Sequence, residues 1–551
     1  MASPSRPPCP PARHSALTPP DLHHVLGLYL RQHAHLLGLP RDFLIAGDCD
    51  CALILSDALL DTERAPDSSG IRELKKGFRR TRSDGLVPSE IAEDRLRALR
   101  NRYGEFLRFY RCVDFDGVIL GALAILGRQP AVLEEYRRKA KFLLIDEYQD
   151  INGAQHRLIR HLAGNPQGVS AVGDADQSIY GWRGGRPEFI LSFPEGFPGA
   201  TTRPLTASHR CPGHILEGAV ALIRNNRSRH QENSPKSSRL AGQPIQILVS
   251  KSENAEADWI ARWIKEATSD EQYGSSDISV LAADPAIFDL TFRAVTEQGV
   301  AAYRRRRSPL EASPSWRVLS LLRLAFDPHD NLAARVCVTE GPVPGLGPEA
   351  ARVIRSEARN TGRSVVDVIA SPPKSLSRWR RPLGELAQYV QSLEQAVAAE
   401  AVPTLIGKIA GDLRLGQDEE AVAYLIGLAR QTEATDASGF LSALQERKGL
   451  DATGELLGGE SDGVQFLTVH LAKGLESKVV FVLGLEAGLF PDPEKDVEEQ
   501  RRLLYVAMTR AQALLFLCTA KMRKVRGFRF RDPSRFLAEI PSQHVRKLPN
   551  T

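Results

Sequence analysis

No apolar run among these 551 residues reaches the roughly 20 residues that a membrane-spanning helix needs, so no span is expected. The first twenty residues, "MASPSRPPCPPARHSALTPP", lack the apolar centre of a signal peptide and read instead as a disordered, Pro-rich leader. Cysteine is sparse: seven residues, scattered singly apart from Cys49 and Cys51. A lone C-x-C is a weak metal signal, and reduced structural thiols are the favoured reading. Little cysteine and no export signal together fit a reducing cytoplasm. Net charge is also small, +5, which on its own does not mark a nucleic-acid binder. An apolar content of 42% and a charged content of 25% are those of an ordinary globular chain, and the length predicts several domains.

The hydrophobic pattern changes along the chain. From about residue 22 to 112 it is helical, as in "HHVLGLYLRQHAHLLGL". Within it, "IRELKKGFRRTR" (71–82) is basic and reads as a solvated face or as a contact to a DNA backbone. Short apolar strands then appear at 141–145 and 169–174 with a helix-like stretch between them, the pattern of a parallel sheet. Further strands are expected at 245–250, 277–284, 464–470, 478–485 and 514–520. Between about 305 and 460 the chain is helical again; Leu383, Leu386, Val390, Leu393 and Val397 step by three and four, a packing face.

"FLLIDEYQD" (142–150) ends what reads as a buried strand with Asp146 and Glu147 side by side. Three readings stand on these residues alone: an ordinary loop, an acid pair that holds Mg²⁺ and orients the water of nucleotide hydrolysis, or part of a two-metal nuclease. One strand later, "VGDADQSIYGWRGG" (172–185) puts Asp174 at a strand end, where α/β folds bind ligands. Gln177 is a neutral amide suited to sensing a terminal phosphate. Tyr180, Trp182 and Arg183 offer two rings and a cation, on which single-stranded bases stack. "LTASHRCPGHI" places Arg210 at the start of the second α/β block. "TVHLAKGLE" sets His470, Lys473 and Glu476 in one loop, and "EEQRRLLYVAMTRA" delivers Arg510 at a helix end. An arginine that reaches a nucleotide from a second domain is an arginine finger in cis; taken singly, such arginines are ordinary surface ion pairs.

In this order the motifs resemble those of the UvrD/Rep/PcrA group of superfamily 1 DNA helicases: "DEYQD", "GDADQSIYGWRGG", "SHRCP", "TVHLAKGLE" and "RRLLYVAMTRA" match family motifs, and "DFDGVIL" (114–120) and "DPSRFLAEI" (532–540) match further signatures. The resemblance implies an α/β fold of two RecA-like, P-loop-NTPase-type motor domains with helical inserts, and ATP-driven 3′-to-5′ movement along single-stranded DNA in repair or recombination. It divides the chain into a leader (1–21), a helical insert (22–112), the remainder of motor domain 1 (113–200), the first half of motor domain 2 (201–305), a second helical insert (306–460) and the second half of motor domain 2 (461–545). By resemblance, Asp146 holds Mg²⁺ and Glu147 activates water. Gln177, Arg210 and Arg510 meet the γ-phosphate of ATP. Glu476 holds the ribose, and Asp174 belongs to the nucleotide side. Tyr180, Trp182, Arg183 and His470 contact the strand, and the expected partners are single-stranded and partly duplex DNA. The nuclease reading lapses, since no second acid cluster accompanies Asp146.

One departure is large. The phosphate-cradling G-x-x-x-x-G-K-[ST] is absent: the one Gly-Lys pair, Gly407-Lys408, precedes Ile409 and has Val402 at the first-glycine position. Motor domain 1 is therefore expected to be incomplete. The chain reads as a truncated or mis-started helicase, as a short protein that binds single-stranded DNA or a helicase partner without hydrolysis, or as half of a split motor. The strand at 141–145 would then lack a neighbour and leave apolar surface in water.

Overall fold

The computed structural model describes residues 22–62, 74–75, 77–79, 81–83, 93–164, 168–230, 234–304, 309–416, 420–432, 436–451, 462–525, 527–530 and 532–549. The leader at 1–21 lies outside the described residues, as do parts of the basic run at 71–82.

The stretch read as helical from 22 to 112 holds helices Leu22–His33, Asp48–Thr62 and Glu93–Phe109, but also a strand, β1 (Leu44–Ala46), parallel to β2 (Cys112–Asp114). Three apolar residues are too short a run to show period two, so the pattern hid β1. Helix Leu22–His33 packs on helix Phe115–Arg128, with Leu26, Leu30, Val118 and Ile119 in one core. Asp114 starts that second helix by accepting from Gly117 N at 2.7 Å, and it also takes the Tyr103 hydroxyl at 3.0 Å. Arg82 donates to the same carboxylate and is largely buried. Of the described cations in the basic run, Lys75 and Arg79 are exposed, as a solvated or DNA-facing surface requires, whereas Arg82 is spent on a helix cap.

β3 (Leu143–Ile145) and β4 (Val169–Ala171) form a second parallel pair, joined through helix Gly153–Ala163. Leu143, Ile145, Val169 and Ala171 face Tyr148, Ile151 and Ile159. The other face is bare: Phe142 is 76%, Leu144 84% and Val172 56% exposed. β3 therefore does not lie buried as expected. Parallel sheets are normally covered on both faces, and this pair has a cover on one.

After a two-residue pair, β5 (Ala207–Ser208) and β6 (Lys236–Ser237), comes the main sheet. It consists of β7 (Ile245–Ser250), β8 (Ile278–Ala282), β9 (Ala302–Arg304), β10 (Val464–Thr468), β11 (Ser477–Leu483), β12 (Ala511–Ala520) and β15 (Val545–Lys547). Their order is β15-β7-β12-β11-β8-β10-β9, and every pairing is parallel. β13 (Arg523–Val525) and β14 (Phe528–Phe530) form a side hairpin. The strands are near-continuous Val, Ile, Leu and Phe because both faces are covered. One face packs on helices Gly213–Ile223 and Val497–Met508, the other on Glu253–Ser269 and Phe288–Glu297. The helical region that interrupts this sheet has its own core. Helix Arg380–Ala399 buries Leu383, Leu386, Val390 and Leu393, each worth about 1.5–3 kcal/mol relative to exposure. No single helix among the described residues is long and apolar enough to cross a membrane.

Candidate functional site

β3 runs out at Ile145, and the chain reverses at Glu147, whose φ of 50° and ψ of 40° are left-handed. A residue with a Cβ held there costs on the order of 1 kcal/mol, a strain that collects at functional sites. The turn is over-determined. Tyr148 N donates to Val172 O at 3.0 Å and Asp150 N to Glu147 O at 2.9 Å. The buried Gln149 amide donates to Glu147, and its oxygen accepts from Asp174 N at 3.0 Å. Gly173 is required by this approach: a Cβ there would lie 2.3 Å from Gln149 Oε1. Helix Gly153–Ala163 then begins with a capping box between Asn152 and Gln155. Asp146 and Glu147 are left exposed at the strand tip, with Asp146 Oδ1 accepting from Glu147 N at 2.8 Å.

Beside them, past the end of β4, Asp174 caps the turn Ala175–Gln177 and its Oδ2 accepts from the Gln177 amide at 2.8 Å. Burial raises the Asp174 carboxyl above its ordinary value, and Asp176 pushes it the same way. Asp176 itself is anchored by Arg229, at 2.7 Å, in a fully buried pair.

The second α/β block meets these tips with two cations. Arg510 follows helix Val497–Met508 and is held by Val506 O (3.0 Å) and Leu475 O (3.2 Å); its Nη2 reaches Gln177 Oε1 at 3.3 Å. Burial, with Arg210 nearby, pulls the Arg510 guanidinium down to about 10, still charged at neutral pH. Lys473, almost wholly buried, lies 3.1 Å from Glu147, pairs with Asp150 and donates to Gln177 O at 3.0 Å. Burial, offset in part by Lys473, pushes the Asp150 carboxyl up to about 6. Arg210 and Glu476 face each other, at 2.6 Å, with Gln512 on the other Glu476 oxygen at 2.7 Å.

The rings form an adjoining group. The Tyr180 hydroxyl donates to His470 O at 3.0 Å, and its ring centroid lies 6.3 Å from Trp182 and 6.0 Å from His470. Arg183 sits 4.7 Å from the Trp182 centroid, and Trp182 remains half exposed. Lys473 Nζ lies 5.5 Å from the Tyr180 centroid, between the rings and the acids. The backbone here is tied to the second block by Gly181 N to Glu499 (3.1 Å) and by Arg502 to Ser178 O (3.0 Å).

Of the expected residues, Asp146, Glu147, Asp174, Gln177 and Arg510 gather at the two strand tips. Arg210 and Glu476 pair with each other, and Tyr180, Trp182, Arg183 and His470 make the ring cluster. Lys473, Gln149 and Arg502 had no expected role. Lys473 was within reach of sequence reasoning, standing in the same short loop as His470 and Glu476; the other two are ordinary polar residues until the fold brings their partners.

Residues 12–198 match the model of the UvrD/REP helicase N-terminal domain, and residues 204–381 and 385–522 that of the UvrD-like helicase C-terminal domain. The chain belongs to the UvrD-like helicase family. Among UvrD-like relatives, it is 30% identical to DNA helicase II of Salmonella typhimurium over 562 residues, 96% of this chain and 77% of the relative. The ATP-dependent DNA helicase PcrA of Bacillus subtilis is 28% identical over 567 residues, 96% of this chain and 76% of that one. DNA helicase II of Rickettsia typhi is 29% identical over 503 residues, 84% and 74% of the two chains. The UvrD-like C-terminal match runs across the helices from Ser313–Phe326 to Ala437–Asp451, so they belong to the family pattern.

Proposed function

We propose that these residues form the working parts of an ATP-driven DNA motor that moves 3′-to-5′ along single strands, with the division into motor halves and helical inserts given above. The observation that carries this is the reach of Arg510 from one α/β block to Gln177 on the other, next to the Glu147 turn. A nucleotide at these tips has Glu147 to orient water, Gln177 to feel the γ-phosphate and Arg510 to take up charge that develops on transfer. The exposed Asp146 carboxylate is a hard oxygen ligand beside Glu147, a donor set that suits Mg²⁺. Bound there, Mg²⁺ would neutralise phosphate charge. Glu476 serves the ribose, with Arg210 released toward phosphate when nucleotide enters. Bases stack on Trp182 and Tyr180, with Arg183 on the backbone and His470 beside them. Lys473 touches both groups and links strand binding to the acid pair.

A second reading applies to the 551 residues taken alone: binding of single-stranded DNA without hydrolysis. Two observations favour it, the absence of G-x-x-x-x-G-K-[ST] from the sequence and the bare β3–β4 face. A P-loop is a strand–loop–helix unit, and such a unit would supply both the phosphate cradle and the missing cover. Phosphate release with and without single-stranded DNA separates the readings. Stimulated release once a G-x-x-x-x-G-K-[ST] unit is supplied supports the motor; DNA binding without release even then supports the second reading.

A further inference from the structure

Away from these tips, the two helical regions meet along a seam of charge. Asp57, in helix Asp48–Thr62, is buried and receives Arg335 at 2.8 and 3.1 Å and the Tyr110 hydroxyl at 2.9 Å. Arg355 Nη1 stands 2.7 Å from the same carboxylate without alignment to donate, and its Nη2 bonds Asp61 at 2.8 Å. Arg359 bonds Glu105 at 2.9 Å, and Arg102 bonds the same carboxylate at 2.6 Å.

A cavity of about 280 Å³ opens on this seam, lined by Leu60, Asp61, Arg352, Arg355, Ser356, Arg359 and Asn360. Five of the seven come from helix Pro348–Thr361, at spacings that put them on one face. Arg352 has no ion pair among the described residues, and Arg355 is 2% exposed. Among the residues that line the cavity, three arginines (352, 355, 359) stand against one carboxylate (Asp61), an excess of two positive charges at a polar space, with Asp57 and Glu105 pairing Arg355 and Arg359 from behind. Among the described residues no aromatic side chain lines it, so these residues offer a base no stacking surface. They offer guanidinium forks, a hydroxyl and an amide, which match a doubly charged phosphate group.

We propose that this cavity binds a phosphate-bearing anion of terminal-phosphate or pyrophosphate size, bridging the end of helix Asp48–Thr62 to helix Pro348–Thr361. The volume fits: one water takes about 30 Å³ of liquid, so the space holds several heavy-atom groups. Arg352 is exposed, so its replacement spares the core.

The test is thermal unfolding and calorimetric titration of the full chain with inorganic pyrophosphate, against sodium chloride at matched ionic strength. Pyrophosphate at saturating concentration should raise the midpoint by about 2–4 °C. Arg352→Gln and Arg359→Gln should each weaken binding about tenfold or more, while Arg510→Gln, at the strand-tip site, should leave it unchanged. No pyrophosphate-specific shift in the parent overturns the proposal. So does a shift that Arg352→Gln leaves intact, which marks an adventitious ion only, and so does one that only Arg510→Gln removes. In the supporting case, displacement of pyrophosphate by a duplex oligonucleotide assigns the phosphate to a nucleic-acid backbone, and failure to displace it assigns a free phosphorylated small molecule.

Discussion

Trp182→Ala should weaken binding of a single-stranded oligonucleotide about 5- to 150-fold. Trp182 is 50% exposed, with Arg183 over one part of its ring and His470 meeting it at 83°. The exposed half is the surface a base can cover, and one base–aromatic stack is worth about 1–3 kcal/mol. The fold should survive the change, because Tyr180 keeps its bond to His470 O and Arg502 keeps its bond to Ser178 O without this ring. The assay is fluorescence anisotropy with a labelled oligonucleotide at two or more salt concentrations. Stacking releases no counterions, so Trp182→Ala should lower affinity by the same factor at every salt concentration. Arg183→Ala should instead flatten the salt dependence, by about 0.7 in log–log slope if it contacts one phosphate. Equal affinity of Trp182→Ala and parent would refute the stacking role. A changed slope with Trp182→Ala would show that the loss came from misplaced Arg183.

In a form that carries a phosphate loop, Arg510→Ala should cut ATP hydrolysis about 10³-fold or more with little change in DNA affinity; hydrolysis at the parent rate would remove the finger assignment. Asp57→Ala should destabilise the chain by about 3–5 kcal/mol in urea unfolding, since it leaves the buried Arg335 without its carboxylate and Arg355 with Asp61 alone. Burial alone pushes the Asp57 carboxyl up, but Arg335, with Arg355, overcomes it and holds Asp57 below the ordinary carboxylate value. Asp150 gives the pH test. With its carboxyl raised to about 6, the folded chain binds more protons than the unfolded one from about pH 4 to pH 6, so stability contributed there is present at the acid end and lost as pH rises through 6. Asp150→Asn should remove that slope from stability measured against pH, and an unchanged slope would locate it elsewhere.

The main sheet was legible because its strands are buried on both sides. "IQILVS" and "KVVFVLGL" carry unbroken apolar runs, and these become β7 and β11. The acid pair was legible from its place after such a run. β1 was not, because three residues show no period. The bare side of β3 could be anticipated only from what the sequence lacks: "KFLLI" reads the same whether or not a neighbour covers it. Arg82 and Lys473 looked like generic cations in the sequence. Their partners, Asp114 in the one case and Glu147 and Asp150 in the other, are 32 residues and more than 300 residues away, a separation that no local pattern encodes.

The central claim is that Glu147, Gln177 and Arg510 make a hydrolytic site that needs only a phosphate cradle. Phosphate release with and without single-stranded DNA should be measured on the 551 residues and on a form extended by a strand–G-x-x-x-x-G-K-[ST]–helix unit. The account predicts no DNA-stimulated release from the first, and stimulated release from the second that Glu147→Gln abolishes. Robust turnover by the 551 residues themselves, lost in Glu147→Gln, would contradict it.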